Sequence, residues 1–133
     1  MFLLDTNILS DLIRHPQGVI AARIAEVGEK SIATSIIVAG ELRFGAARRG
    51  SERLTTQLEL VLRLLPVLPL GDDADIHYGR LRANLEARGQ PIGANDMLIA
   101  AHALSLEATL VTDNVREFER VDGLAIENWL RSS

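Results

Sequence analysis

The sequence predicts an α/β fold: a parallel β-sheet flanked by α-helices on both faces, forming a single domain over residues 1–133. Three observations carry that prediction. Short apolar runs of strand length alternate with longer stretches of helical periodicity, the pattern of successive βα units. The strand-like runs are apolar along their length, as strands are when both faces of the sheet are covered. Finally, 47% of the 133 residues are apolar, and no linker, internal repeat or low-complexity tract interrupts them, which suits one compact core.

Phe2–Leu4 is the first strand candidate, followed by a helix from about Asn7 to Ile13. Pro16 is placed to open a second helix and Gly28 to close it. Ser31–Thr34 reads as the second strand. Ser35 caps a helix that runs through Arg49 and ends at Gly50, and Ser51 starts another to about Leu65. Val67–Leu70 is a short extended piece between prolines. Asp72 and Asp75 mark an acidic helix start, with Gly89 where a C-cap belongs, and Gln90–Gly93 is a loop. Asn95 or Asp96 opens a helix, Met97–Leu106, that is apolar nearly all round. Thr109–Thr112 and Leu124–Ile126 complete the strands.

Composition removes several function classes. With no cysteine there is neither a disulfide framework nor a thiolate metal site. No basic segment precedes an apolar stretch at the N-terminus, and the apolar windows Leu58–Leu70 and Met97–Leu104 are broken by charge and proline or too short to span a bilayer. The expectation is a cytoplasmic protein with no membrane association. The net charge of −4 argues mildly against a nucleic-acid binder, but every basic residue except Lys30 is arginine, which suits bidentate phosphate contacts. Arg43, Arg48 and Arg49 on one helix, and Arg80, Arg82 and Arg88 on another, are candidates to grip phosphates. No nucleophile elbow, phosphate-binding loop or dinucleotide fingerprint is present. His15, His77 and His102 read as structural, His102 as a satisfied core residue. Trp129 could stack a base, although packing of the last segment accounts for it better.

The acidic residues are more informative. In a parallel sheet, ligands bind beyond the carboxyl ends of the strands. Asp5 stands there directly after Phe2–Leu4, where capping alone would also explain it. Glu41 lies one turn after Ile37 and nearly one turn before Phe44, so it projects from the apolar stripe of its helix and needs a cation or a donor. Gly40 and Gly45 weaken the same helix, which close packing or ligand approach would explain. Asp96 opens the apolar helix, and Asn95 could cap in its place. Asp113 or Asn114 follows the strand Thr109–Thr112, and Glu117 could reach the same edge through a tight turn. Converging carboxylates repel one another and require a counter-charge. The donors are all oxygens, which favours Mg²⁺ or Mn²⁺ over zinc or copper, and the matching chemistry is metal-assisted phosphodiester hydrolysis.

Four segments, MFLLDTNILS at Met1–Ser10, VAGELRFG at Val38–Gly45, PIGANDMLIAAHA at Pro91–Ala103 and LVTDNVREFERVDGLAIENW at Leu110–Trp129, together resemble the PIN-domain nucleases, and within them the VapC toxins of bacterial toxin–antitoxin pairs. The resemblance runs over essentially the whole chain. It implies an Mg²⁺- or Mn²⁺-dependent endoribonuclease that cuts RNA, with tRNA the leading target, usually as a homodimer. It also implies a VapB-type antitoxin partner whose C-terminal segment covers the acidic pocket, often through an arginine. By that resemblance Asp5, Glu41 and Asp96 match the family's acids, Asn114 the fourth position and Glu117 a further acid near the metal. Asp113 could stand in for Asn114, and Thr6 and Thr112 match pocket hydroxyls. Surplus apolar residues between Ile36 and Leu65 are expected to meet the antitoxin or a second protomer. Two other readings remain: a non-catalytic PIN-like module that binds RNA or protein, suggested by Asn114, and a phosphoryl-transfer protein of another doubly wound family, disfavoured because the only lysine is Lys30 and Asp5 has no acid two residues on.

Overall fold

A computed structural model describes residues 1–131. Five strands form one sheet: β1 (Phe2–Leu4), β2 (Ile32–Ser35), β3 (Val67–Leu68), β4 (Thr109–Val111) and β5 (Ile126–Glu127). Their order is β3-β2-β1-β4-β5 and every pairing is parallel, as expected. Among the described residues seven α-helices connect them: α1 (Thr6–Arg14), α2 (Val19–Val27), α3 (Ile36–Arg49), α4 (Glu52–Leu64), α5 (Ala74–Ala87), α6 (Ala94–Leu106) and the single turn α7 (Val115–Phe118).

Both faces of the sheet are covered. Leu3 and Leu4 point to opposite faces, and both are fully buried, as are Leu110 and Val111 in the neighbouring strand. The core extends from these strands to Ile8, Leu9, Ile99, Leu85 and Phe118, and a smaller cluster of Ile13, Ala46 and Leu58 lies where α1, α3 and α4 meet. α6 is apolar all round because it is enclosed all round: Met97, Ile99, Ala100, Ala101, His102 and Ala103 are all buried.

Caps fall largely where the sequence places them. Ser35 accepts from the Ile37 N–H and Ser51 from the Leu54 N–H, and Gly50 takes the left-handed conformation that ends α3. Several boundaries differ. Pro16 does not open α2. It is the second residue of a turn in which the Gly18 N–H donates to the His15 carbonyl at 2.9 Å, and the helix begins at Val19. A Cβ on Gly18 would lie 2.9 Å from the His15 Cβ, so the turn requires glycine. α6 begins one residue ahead of Asn95, with Gly93 as its N-cap, and β5 is Ile126–Glu127 rather than Leu124–Ile126.

His102 lies in the core with no exposure; its Nδ1 meets the Ser35 hydroxyl at 2.8 Å, tying α6 to the start of α3. Its Nε2 is buried without a well-formed hydrogen bond, although the Pro69 backbone acts on the ring. Burial holds its imidazole below the ordinary value, so it stays neutral. Trp129 is buried against Phe2, with Arg23 over its ring at 5.3 Å, so it packs the last segment and is not offered to a base.

Leu4 lies in the central strand with no solvent exposure. Leu4→Ala is expected to cost roughly 2–5 kcal/mol of stability, read as a lower urea midpoint with an unchanged slope.

Candidate metal-dependent active site

In this strand order the chain passes from β1 to β2 on one side and later to β4 on the other. The crevice between the carboxyl ends of β1 and β4 is therefore the switch point where ligands bind. Asp5 and Thr112 directly follow those two strands. The Asp5 N–H continues the ladder by donating to the Val111 carbonyl at 2.9 Å, and the Thr112 hydroxyl donates to Asp5 Oδ2 at 2.7 Å.

Asp5 occupies the N-cap position of α1, yet its carboxylate makes no capping bond. It is 4% exposed, and its Oδ1 is buried with no hydrogen-bond partner. Capping therefore does not account for this residue. Burial pushes its carboxyl up, the Thr112 bond pulls it back, and the negative charge of Glu41 raises it further.

Glu41 reaches the same edge from the second turn of α3 and accepts from the Thr6 hydroxyl at 2.6 Å. It is half-buried, but its surroundings differ from those the sequence suggests. The inward stripe of α3 is Val38, Leu42 and Ala46, while Phe44 is 65% exposed. Glu41 thus lies on the border of the apolar face and opens toward a groove of about 310 Å³ that runs past Ser10, Arg14 and Arg49 over a floor of Ile13 and Leu58. A Cβ on Gly40 or Gly45 would meet nothing within 4 Å, so packing inside the chain does not require either glycine.

Asp96 sits in the first turn of α6 and Glu117 in α7. Their carboxyl groups lie close enough to interact, which raises Asp96 and lowers Glu117. Burial pushes Asp96 up to about 7, helped by the neighbouring Glu117 carboxylate and by the charges of Glu117, Asp5 and Glu41. Burial also raises Glu117, but bonds from the Gly93 N–H at 2.6 Å and from the Asn114 amide at 2.7 Å, together with the Asp96 carboxyl, outweigh it, so Glu117 settles below its ordinary value. Gly93 is an unforeseen contributor. Its N–H holds Glu117, and a Cβ there would stand 3.3 Å from Asp96 Oδ2.

The Thr112-Asp113-Asn114 turn resolves the choice left open by the sequence. Asn114 faces Glu117 through its side-chain amide, while its own N–H donates to Thr112 Oγ1 at 3.0 Å. Asp113 turns away to accept from Asn128 and Arg131, and its N–H donates to the Asn7 side chain. Asp113 is therefore not on the acidic cluster, and Asn7 is a second contributor that the sequence did not single out. Of the arginines proposed as phosphate grips, Arg49 alone lines the groove. Arg43 pairs with Glu59, Arg82 with Glu86 and Tyr78, and Arg88 with the Arg120 carbonyl and Asp122. Arg80 borders a separate cavity with His77 and Asp122, while Arg14, which the sequence reading did not propose, lines the groove with Arg49.

Among the described residues no three acidic or histidine side chains stand close enough to form a ligand shell unaided. The residues nevertheless fit a magnesium-like ion. Every donor is an oxygen, Asp5 presents an orphaned buried oxygen, and the raised carboxyls need positive charge. Mg²⁺ keeps several of its waters and needs only one or two carboxylates.

Comparison with known proteins places the chain in a family. The model of the PIN domain family matches residues 2–124. A ribonuclease VapC2 of Rickettsia felis is 37% identical over 131 residues, 97% of this chain and 98% of its own. A tRNA(fMet)-specific endonuclease VapC of Salmonella typhimurium is 37% identical over 129 residues, 96% and 97% of the two chains. Among solved structures, a chain of VapBC2 from Rickettsia felis bound to a DNA fragment of its promoter superposes with a TM-score of 0.88 at 36% identity, covering 96% of this chain and 98% of that one.

The folded value of Asp96, about 7, lies above its unfolded value of 3.8. Its contribution to the stability of the ion-free protein is therefore full below the lower value and lost as the pH rises through the higher. A divalent ion bound there would compete with that proton. Calorimetric titration with Mn²⁺ in buffers of differing ionisation enthalpy is expected to release close to one proton at about pH 6 and almost none at about pH 8.5. Affinity should rise between those values.

Proposed function

The chain belongs to the PIN domain family, and we propose that within it this protein is the metal-dependent endoribonuclease toxin of a VapBC-type toxin–antitoxin pair. Curated relatives with ribonuclease and endonuclease names match nearly the whole chain, and the protein is a ribonuclease. The observation that carries the mechanism is Asp5, a nearly buried carboxylate at the sheet's switch point with one oxygen bonded to Thr112 and the other free. Asp5 and Asp96 would hold Mg²⁺ or Mn²⁺, with Glu41 beside them and Glu117 acting on Asp96 at close range. When bound, such an ion supplies positive charge to a phosphodiester and makes water more acidic.

The chain's own residues prepare that site. Thr112 and Thr6 fix the rotamers of Asp5 and Glu41. Gly93 and Asn114 keep Glu117 ionised, so Asp96 holds the proton that must leave as the cation arrives. Helix starts at Thr6 and Ala94 add partial positive charge to a place crowded with negative charge.

The substrate is tRNA in this reading, supported by the Salmonella relative named as a tRNA(fMet)-specific endonuclease. Its place of action is then the cytoplasm, and no helix among the described residues is long and apolar enough to cross a membrane. The partner is a VapB-type antitoxin, supported by neighbours solved as VapBC complexes. The groove beside Glu41 suits its covering segment: an apolar floor for side chains leads to a cluster of acids for an arginine.

The protein is a homodimer in this reading. Ile36, Phe44, Leu60 and Leu64 are 47%, 65%, 56% and 77% exposed, a concentration of large apolar side chains on α3 and α4 that a second protomer would cover.

Purified protein is expected to cleave tRNA with Mg²⁺ or Mn²⁺ and to stop on adding EDTA. Asp5→Ala and Asp96→Ala should each lower kcat at least about a hundredfold while remaining folded. Activity indifferent to EDTA and to both substitutions would defeat the reading. Sedimentation of the wild type should give a dimer, and Leu64→Glu with Phe44→Glu a monomer. A wild-type monomer at all accessible concentrations would remove the dimer.

A further inference from the structure

We infer that Asp113 is a positioning residue: it braces the active-site turn against the C-terminal segment and acts on the ion-holding acids without touching ion or RNA. Its activity readout rests on the ribonuclease reading, but its structural readout does not.

The brace begins outside the site. Asn128 Nδ2 donates to Asp113 Oδ1 at 2.9 Å, and the Asn128 carbonyl oxygen of the side chain accepts the Leu130 N–H at 3.0 Å, which fixes the amide's orientation. The segment carrying Asn128 is itself fastened. β5 pairs with β4, the Thr112 N–H donates to the Glu127 carbonyl at 3.0 Å, and buried Trp129 donates through Nε1 to the Glu127 carboxylate at 2.9 Å. Asp113 is held on its other side as well, its N–H donating to Asn7 Oδ1 at 3.2 Å.

Asp113 is flanked by the two residues that set the acids. Thr112 bonds Asp5 and Asn114 bonds Glu117, the partner of Asp96, and the two are linked by the Asn114 N–H on Thr112 Oγ1. Past the Thr112 N–H, the backbone N–H groups of Asp113 and Asn114 bond only to side chains and have no ladder to keep their register. Without the Asn128 bond the turn can relax outward, and Thr112 and Asn114 move with it. Displacements of this kind cost rate more than substrate affinity, because Asp113 faces Asn128 and Arg131 rather than the acids. The exposed pair between Asp113 and Arg131 contributes less, with Arg131 77% exposed.

The test compares Asp113→Ala, Asp113→Asn, Asn128→Ala and the double alanine variant. Asp113→Ala and Asn128→Ala are each expected to lower kcat about tenfold with KM nearly unchanged, and the double variant no further than either alone. Asp113→Asn keeps an oxygen acceptor for Asn128 and should restore activity to within about threefold of wild type. By NMR, both alanine variants should speed hydrogen exchange of the Asn114 amide about tenfold while core amides stay protected. Should Asp113→Ala fail to fold, Asn128→Ala removes the same bond from the far side. Unchanged kcat and unchanged Asn114 exchange in that variant would overturn the inference. So would an Asp113→Asn protein as impaired as the alanine one with weakened Mn²⁺ binding, which would make Asp113 a ligand. A wild type that cleaves no RNA would sink the ribonuclease reading, while the exchange data would still decide the brace.

Discussion

The hydrogen bond from Thr112 to Asp5 joins the two strands between which the chain reverses its winding, and the chemistry is arranged around it. The backbone N–H groups of Asp5 and Thr112 carry the ladder one residue past β1 and β4, and this brings their side chains together at the sheet's edge. There they bond each other. One oxygen of Asp5 is thereby fixed, the other remains free, and burial prevents water from neutralising the carboxylate's demand for charge.

That demand is shared among acids brought from four separate stretches of chain. Left ionised together they would repel, and the ion-free protein eases this by raising Asp96 while Glu117 is held charged mainly by neutral donors, with the charge of Arg120 adding to them. The supporting groups are mostly backbone N–H, hydroxyl and amide groups rather than cations. In the proposed function, a site balanced in this way would exchange a proton for a divalent ion. Arginines fixed among the acids would have filled the need permanently; instead they stand along the groove or pair with surface carboxylates.

The helices that carry these groups are held by contacts some distance from the chemistry. His102 ties α6 to Ser35, and Ser35 caps the helix that presents Glu41. The C-terminal segment, fastened through Trp129 and Glu127, steadies the turn between Thr112 and Asn114. Residues with no place in the reaction thus determine where the reacting oxygens lie.

The sequence by itself determined the parallel sheet and the helix starts at Ser35 and Ser51, and it put Asp5 at the carboxyl edge of the sheet, because these follow from periodicity and from the rule that strand ends face the ligand. Glu41, Asp96 and Glu117 were singled out with it through the family resemblance. The sequence also misplaced Pro16 as a helix opener and Phe44 as part of an inward stripe, since proline suits a turn as well as a first helical position, and a helix apolar on more than one side has no single readable face. Only the tertiary structure decided that Asn114 rather than Asp113 faces the acids, that Gly93 and Asn7 take part, and that Arg14 stands where other arginines were expected. Those choices depend on side-chain directions and on contacts between residues far apart in the chain. Neighbours such as Asp113 and Asn114 have the same local propensities, and what separates them is Asn128, brought alongside by the folding of the last strand.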